Sequence, residues 1–252
     1  MIGISYGKFA LFALAALLGF TVESAAGFGA VILTLTISAF FLPMDGILTV
    51  ILPINIVLSA ILVQRYHRAV SVPLLVRGIL PFMGLGMACA MVIRQWGEQG
   101  FLRTVFAGFV LLLSLTELFR SSSATETRPL SRPLRAITLF GAGVIHGFFA
   151  CGGPMVVYVT AREVHDKAQF RTTLSALWLL LNVLLFGSMV YAGKTSLATL
   201  GQSLLLLPSL ALGIVLGERV HARVPQARFR KAVFGGLVVA GGLLLVRSLR
   251  PS

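Results

Sequence analysis

Two short interruptions in otherwise apolar sequence carry the groups from which a binding site could be built. The first reads Glu23-Ser24-Ala25-Ala26-Gly27-Phe28-Gly29, and the second His146-Gly147-Phe148-Phe149-Ala150-Cys151-Gly152-Gly153-Pro154. A helix that begins inside a membrane presents unpaired backbone N–H groups and the positive end of its dipole. The glycines at 27, 29, 152 and 153 carry no side chains, so an anion could approach those N–H groups closely. Pro154 suits the first helical position, where a missing N–H costs nothing. Two such helix starts meeting near the membrane midplane would form an anion cradle from the backbone of Ala26, Gly27, Phe28 and Gly29 with that of Gly152, Gly153, Pro154 and Met155. Tight helix packing is the other use open to these glycines.

Further groups stand near these breaks. Asn55 and Asn182 fall near the centres of two apolar segments, where a buried amide can donate to a bound anion or bond a neighbouring helix. Glu23 lies deep in a hydrophobic run, one turn before Gly27. Its charge would repel an anion unless protonated, so the expected role is proton or cation coupling, with capping of the break as the alternative. His146 holds a similar place in the second break, as a relay or as a packing residue. Arg171 is either a cytoplasmic snorkelling residue or a guide for anions, and Arg77 is read as snorkelling. Thr172, Thr173 and Ser175 are weaker candidates, because such hydroxyls often bond their own helix.

The elements that must position these groups are membrane helices. The chain has 252 residues, 57% of them hydrophobic and 12% charged, about half the charged share of a soluble domain. Mean hydropathy is +0.95. The formal charge of +13 does not indicate nucleic acid, because the basic residues sit in short loops between apolar spans. Cys89 and Cys151 lie in apolar or glycine-rich segments and make neither a disulfide framework nor a zinc site. Residues 8–26 have the outline of a secretory signal, but the internal counterpart of this segment, which nothing would cleave, argues that it is retained.

Segments of about 20 apolar residues cross a bilayer. Single crossings are expected at about 46–64, 73–94, 101–119, 169–192, 197–217 and 230–249. The runs 9–42 and 136–162 are each split by a break into halves of about 12 to 15 residues, suited to re-entrant hairpins or half-helices. An offset of 127 residues places Asn55 on Asn182, Pro81 on Pro208, Gly86 on Gly213, Arg103 on Arg230, Gly108 on Gly235 and Gly27 on Pro154. The division expected is a first membrane repeat over 1–120, a polar cytoplasmic linker over 121–135 and a second repeat over 136–252.

Charge sets the orientation. If 65–71 is cytoplasmic and each broken run returns to its own side, then 120–135, 162–171 and 218–231 share that side. Together these loops hold 14 of the 21 Lys and Arg residues. The positive-inside rule then puts both termini outside and makes the repeats inverted. The fold expected is all-α and polytopic, each repeat a broken helical hairpin followed by three transmembrane helices.

The run Gly152-Gly153-Pro154-Met155-Val156-Val157-Tyr158, followed by Arg171-Thr172-Thr173 and a long apolar span, resembles the TauE/SafE family of anion exporters. Gly27-Phe28-Gly29 is a degenerate copy of the same element, and the resemblance covers essentially the whole chain. It implies a bacterial transporter of sulfite, organosulfonates or related small anions in the cytoplasmic membrane. The first break departs from the family pattern in carrying Glu23 and fewer glycines. The reading reached is a secondary transporter working by alternating access, proton- or ion-coupled, with Glu23 and His146 as coupling residues. Ala26, Gly27, Phe28, Gly29, Asn55, Gly152, Gly153, Pro154, Met155, Arg171 and Asn182 would bind substrate. A passive anion channel and a membrane enzyme acting on lipid phosphate are the alternatives; the enzyme would need clustered acid, base and phosphate-binding groups. No catalytic residue, metal or cofactor is expected, and the absence of a GxxxxGK[ST] loop argues against direct ATP drive. The expected partners are the small anion and the lipid bilayer, with a homo-oligomer allowed.

Overall fold

The computed structural model describes residues 5–93, 99–119, 130–164, 166–224 and 226–249. Residues 121–129 of the expected linker, with Arg94, Arg120, Arg128 and Arg250, lie outside them. The described residues fold into eleven α-helices, with no strand among them. In the first half these are α1 (Tyr6–Ala26), α2 (Ala30–Ser38), α3 (Met44–Tyr66), α4 (Leu80–Ile93) and α5 (Gln99–Phe119). The second half holds α6 (Arg132–Phe149), α7 (Gly153–Thr160), α8 (Lys167–Tyr191), α9 (Leu197–Leu204), α10 (Leu207–Arg223) and α11 (Gln226–Ser248).

Five helical segments are long and apolar enough to cross a membrane, or six when the bent pair α9–α10 counts as one span. α5 runs through 21 residues, about the length of a span. Leu11, Leu14 and Leu18 of α1, Leu180 and Leu184 of α8, and Val239 and Leu243 of α11 are exposed, as a lipid-facing surface requires. Glu23, Asn55, His146 and Asn182 are buried.

The breaks are shorter than the sequence implies, and this corrects one expectation. The apolar run 9–42 does not split into two half-helices: α1 has 21 residues and meets the span criterion alone, while α2 has 9. Glutamate and alanine are good helix formers, so 23–26 continue α1, and the helix stops only at Gly27. Gly27 adopts φ 84°, a left-handed conformation that favours glycine, and its N–H closes on the Glu23 carbonyl at 2.7 Å. Likewise 146–149 belong to α6, and Ala150 ends it at φ 54°. At 1.5 Å per residue, α2 and the 8-residue α7 are each about 12 to 14 Å long, less than half of a bilayer core.

Each short helix folds back on its long partner. Thr34 Oγ1 donates to the Ala15 carbonyl, and Gly19 abuts Ala30, which makes α1 and α2 antiparallel. Gly152 abuts Ala142, and Met155 lies over Gly141, the same arrangement for α6 and α7. The main packing partners of the two halves also correspond: α1 packs on α10 and α6 on α4, while α3 meets α8 and α5 meets α11. Small residues make these crossings close. A Cβ on Gly213 would stand 2.6 Å from Phe20 Cβ, and one on Gly217 2.5 Å from Ser24 Cβ. In the α4–α6 contact, Gly86 and Gly143 bring backbone against Phe140 and Met83.

Pro81 and Pro208 mark a second correspondence. Ahead of Pro81 the helix loosens into a π-helical segment, Leu74–Ile79, and ahead of Pro208 α9 and α10 bend by 40°. A proline removes an i→i−4 bond and crowds the carbonyl four residues earlier, so both helices yield at the same place.

The packing yields a prediction. Gly143→Ala drives a methyl into the Met83 backbone and should lower stability by about 1–3 kcal/mol. Gly187→Ala, with open space around it, should be neutral or slightly stabilising. Equal unfolding midpoints for the two variants in detergent would contradict the close α4–α6 crossing.

Candidate functional site

The two breaks meet inside the bundle, where a Cβ on Gly153 would lie 3.3 Å from Phe28 Cβ. Between them is a cavity of about 20 Å³, room for about one water. Glu23, Phe28, Gly29 and Asn55 line it from the first half, and Ala150, Cys151, Gly153, Pro154, Trp178 and Asn182 from the second.

A hydrogen-bonded row crosses the boundary between the halves here. Glu23 Oε2 accepts from the Ala30 N–H at 3.0 Å, and its Oε1 accepts from Asn55 Nδ2 at 2.9 Å. Asn182 Nδ2 donates to Asn55 Oδ1 at 2.7 Å. The three side chains are 3%, 1% and 1% exposed, so each bond replaces water that the group has lost. Both partners of Glu23 are neutral donors. Asn182 Oδ1 and the ring of His146 stand next to each other but, among the described residues, form no well-formed hydrogen bond.

This row changes the cradle that the sequence suggests. The N-terminus of α2 already holds the protein's own carboxylate, because Glu23 caps it through Ala30. Among the described residues, no side chain is seen to accept from the first N–H groups of α7, and its N-cap Gly152 has none to offer. Its first N–H groups, at Gly153 and Met155, are among those a helix leaves without intrahelical partners. Of the two helix starts, α7 is therefore the one available to an external anion.

The other residues singled out in the sequence are placed as follows. Gly27 packs on the Arg171 backbone, Gly152 sits against Ala142, and Met155 covers Gly141, so none of the three lines the cavity. Ala26 ends α1 half-buried. His146 is fully buried and stacks on Trp178, with ring centroids 5.4 Å apart and planes at 18°. Thr172 and Ser175 bond carbonyls of their own helix, and Thr173 Oγ1 accepts from the Ser71 N–H.

Arg171 is 3% exposed but does not line the cavity. Its Nη1 donates to the Ser24 carbonyl at 2.9 Å and pairs with Glu218 at 3.1 Å, and the guanidinium lies 4.6 Å from the Tyr66 ring centroid. Tyr66 donates to the other Glu218 oxygen. His221 Nδ1 donates to the Ala25 carbonyl at 2.7 Å, and Trp178 Nε1 to that of Gly27 at 2.8 Å. The last carbonyls of α1, orphaned where the helix stops, are thus taken up by side chains of α8 and α10.

Sequence reasoning missed Trp178, Glu218, Tyr66 and His221. Trp178 carried a usable signal: it precedes Asn182 by four residues, on one face of α8, and an indole N–H in an apolar helix needs an acceptor. Glu218 and Tyr66 had none, since their pairing joins positions 152 residues apart.

The row makes a measurable prediction. Glu23→Ala removes the α2 cap and leaves Asn55 Nδ2 buried without an acceptor, which should cost about 1–3 kcal/mol. Thermal unfolding in detergent reads this, and an unchanged midpoint would contradict the capping geometry.

Comparison with known proteins follows the geometry. The family described as Sulfite exporter TauE/SafE matches residues 11–244, nearly the whole chain. The "Probable inner membrane transporter protein TsaS" of Comamonas testosteroni is 31% identical over 108 residues, which cover 42% of this chain and 45% of that protein. The chain thus matches less than half the length of that relative. No solved structure matches.

Proposed function

This chain belongs to the TauE/SafE sulfite exporter family, and from that premise we propose that it is a secondary transporter of sulfite, an organosulfonate or a related small oxyanion or carboxylate. The observation that carries the proposal is the small cavity at the start of α7, in whose largely apolar lining Asn182, Asn55 and Glu23 supply the polar side chains. Helix N-termini bind anions through their N–H groups and dipole, and a small oxyanion has the oxygen geometry to accept from several at once.

Alternating access fits the size of the cavity. About 20 Å³ holds about one water and excludes a sulfonate, so the anion enters only when the elements around the breaks separate. The halves would move as two inverted repeats, 1–120 and 136–252, joined by the linker 121–135. Two features support this. Ser71 lies by Thr173 while Asn55 lies by Asn182, so the equivalent helices α3 and α8 run in opposite directions where they meet. The exchange of halves also carries the α1–α10 contact into the α6–α4 contact. The positive-inside rule puts 65–71 and 218–231 in the cytoplasm and both termini outside the cytoplasmic membrane, the compartment that fits the name of the Comamonas relative.

Glu23 supplies coupling in this scheme. As a carboxylate it occupies the α2 N-terminus and opposes a second negative charge across the cavity; when it takes up a proton that opposition ends. His146 lies one residue beyond, next to Asn182 and stacked on Trp178, and would join the proton route. Arg171, tied to Glu218 and to the end of α1, closes the bundle beneath the breaks rather than touching the bound anion.

Thermal stability against sulfite, thiosulfate, sulfate, sulfoacetate, taurine, lactate and chloride tests the reading. A bound substrate at 100 times its dissociation constant should add roughly 2.7 kcal/mol to the folded state. Stabilisation by a sulfur oxyanion or sulfonate, lost in Asn182→Ala, is the expected result. Stabilisation by none of the panel, or equal stabilisation of the variant, would contradict it.

A further inference from the structure

Asn55 and Asn182 are the only asparagines in the chain, and they are hydrogen-bonded to each other in the middle of the site. The polarity of this pair is not free. An ionised Glu23 can only accept, so Asn55 must turn Nδ2 toward it, which turns Asn55 Oδ1 toward Asn182. Asn182 must then spend Nδ2 on Asn55, and the atom left at the far end, at the cavity and beside His146, is the acceptor Oδ1. That oxygen is buried, and the one polar side chain in reach of it, the His146 ring, makes no well-formed hydrogen bond to it. The ionised state therefore offers an incoming anion an oxygen at the place where a donor is needed.

From this geometry we infer that protonation of Glu23 reverses the amide pair, so that Asn182 presents an N–H donor to the anion. The proposal deepens the transport reading and rests on it. Glu23 Oε1 takes a proton from the aqueous side and becomes a donor, while Oε2 keeps the Ala30 N–H. Asn55 turns its amide over to accept at Oδ1, and its Nδ2 then donates to Asn182 Oδ1. Asn182 turns over in response, and its Nδ2 faces the cavity. Each bond in the row is replaced by another of the same kind, and no heavy-atom bond forms or breaks. Proton and anion are bound together because a single carboxyl sets which end of the far amide is offered.

The other titratable and charged groups around Glu23 are few. On α8, Arg171 reaches the Ser24 carbonyl and is paired with Glu218 of α10, so the two charges largely offset each other. His221 of α10 bonds the Ala25 carbonyl, and Lys167 bonds the His221 carbonyl. His146 of α6 stands beyond Asn182, its ring next to the Asn182 amide. Of these, only His146 lies at the far end of the amide row.

Two measurements decide the matter. The first is the affinity of methanesulfonate, an anion of fixed charge, as a function of pH. In the unaltered protein affinity should rise roughly tenfold as pH falls, the worth of one hydrogen bond to a charged partner. Glu23→Gln, whose amide donates to Asn55 permanently, should hold the low-pH affinity at every pH. Asn55→Leu cuts the row but keeps the carboxyl, and its affinity should lose the pH dependence. The same pH dependence in Asn55→Leu as in the unaltered protein would show that charge alone acts, and would overturn the switch.

The second measurement needs neither ligand nor that variant. With asparagine labelled by ¹³C at the side-chain carbonyl, the infrared band reports on Asn55 and Asn182 alone. It should shift between low and high pH in the unaltered protein and stay fixed in Glu23→Gln. An unmoved band in the unaltered protein would overturn the switch. Absence of methanesulfonate and sulfite binding beside a shifting band would count against the transport reading and leave the switch standing.

Discussion

A carboxyl group buried among apolar helices has to be given hydrogen-bond donors, and the interior of this bundle is arranged around that need. Glu23 is 3% exposed and takes one donor from the start of α2 and one from α3. An unsatisfied ion in such surroundings is far more costly than in water, so these two bonds hold α1, α2 and α3 in one relative placement. Asn55 then requires an acceptor's complement from α8, and Asn182 provides it. Four helices from two halves of the chain are thereby tied to a single side chain. The short helix α2 exists as a separate element because Gly27 can turn the chain so that its first N–H groups face the residue that ended α1.

Packing keeps that polar row buried. Glycines at 86, 143, 213 and 217 bring α4 onto α6 and α1 onto α10 with backbone nearly in contact, which leaves little space around the breaks. The seal is unlike in the two halves of the chain. In the second half Arg171 and Trp178 cap the end of α1, and Glu218 pairs with Arg171. The positions offset from them by 127 residues are Met44, Ile51 and Met91, apolar residues that can do none of this. The two helix ends therefore differ: α1 is held by hydrogen bonds and charge, and α6 ends at Ala150 in a left-handed conformation with its His146 ring stacked on Trp178. Similar frames carrying dissimilar chemistry are what a carrier needs if a proton is to act on one half and an anion on the other.

Much of the frame was legible because membrane helices announce themselves by length and hydropathy, and because a glycine or proline in such a helix has few uses. The breaks, the paired asparagines and the all-helical class could all be read from single residues. The boundaries of the breaks could not, since Glu23 and His146 look like interruptions yet are compatible with helix, and only Gly27 and Ala150 change the backbone direction. Nor could the occupant of the α2 N-terminus be foreseen. An anion cradle and a self-capped helix have the same sequence, and the difference lies in whether Glu23 reaches Ala30, which is a matter of fold-back angle. The Arg171–Glu218 pair was hidden for a different reason: ion pairs between distant segments leave no periodic trace.

The central claim is that one carboxyl couples proton and anion. Proteoliposomes holding a pH-sensitive dye and driven by a methanesulfonate gradient test it directly. The account predicts that the unaltered protein carries protons with the anion, and that Glu23→Gln still moves the anion while the internal pH stays constant. Proton movement persisting in Glu23→Gln, or anion flux without protons in the unaltered protein, would contradict it.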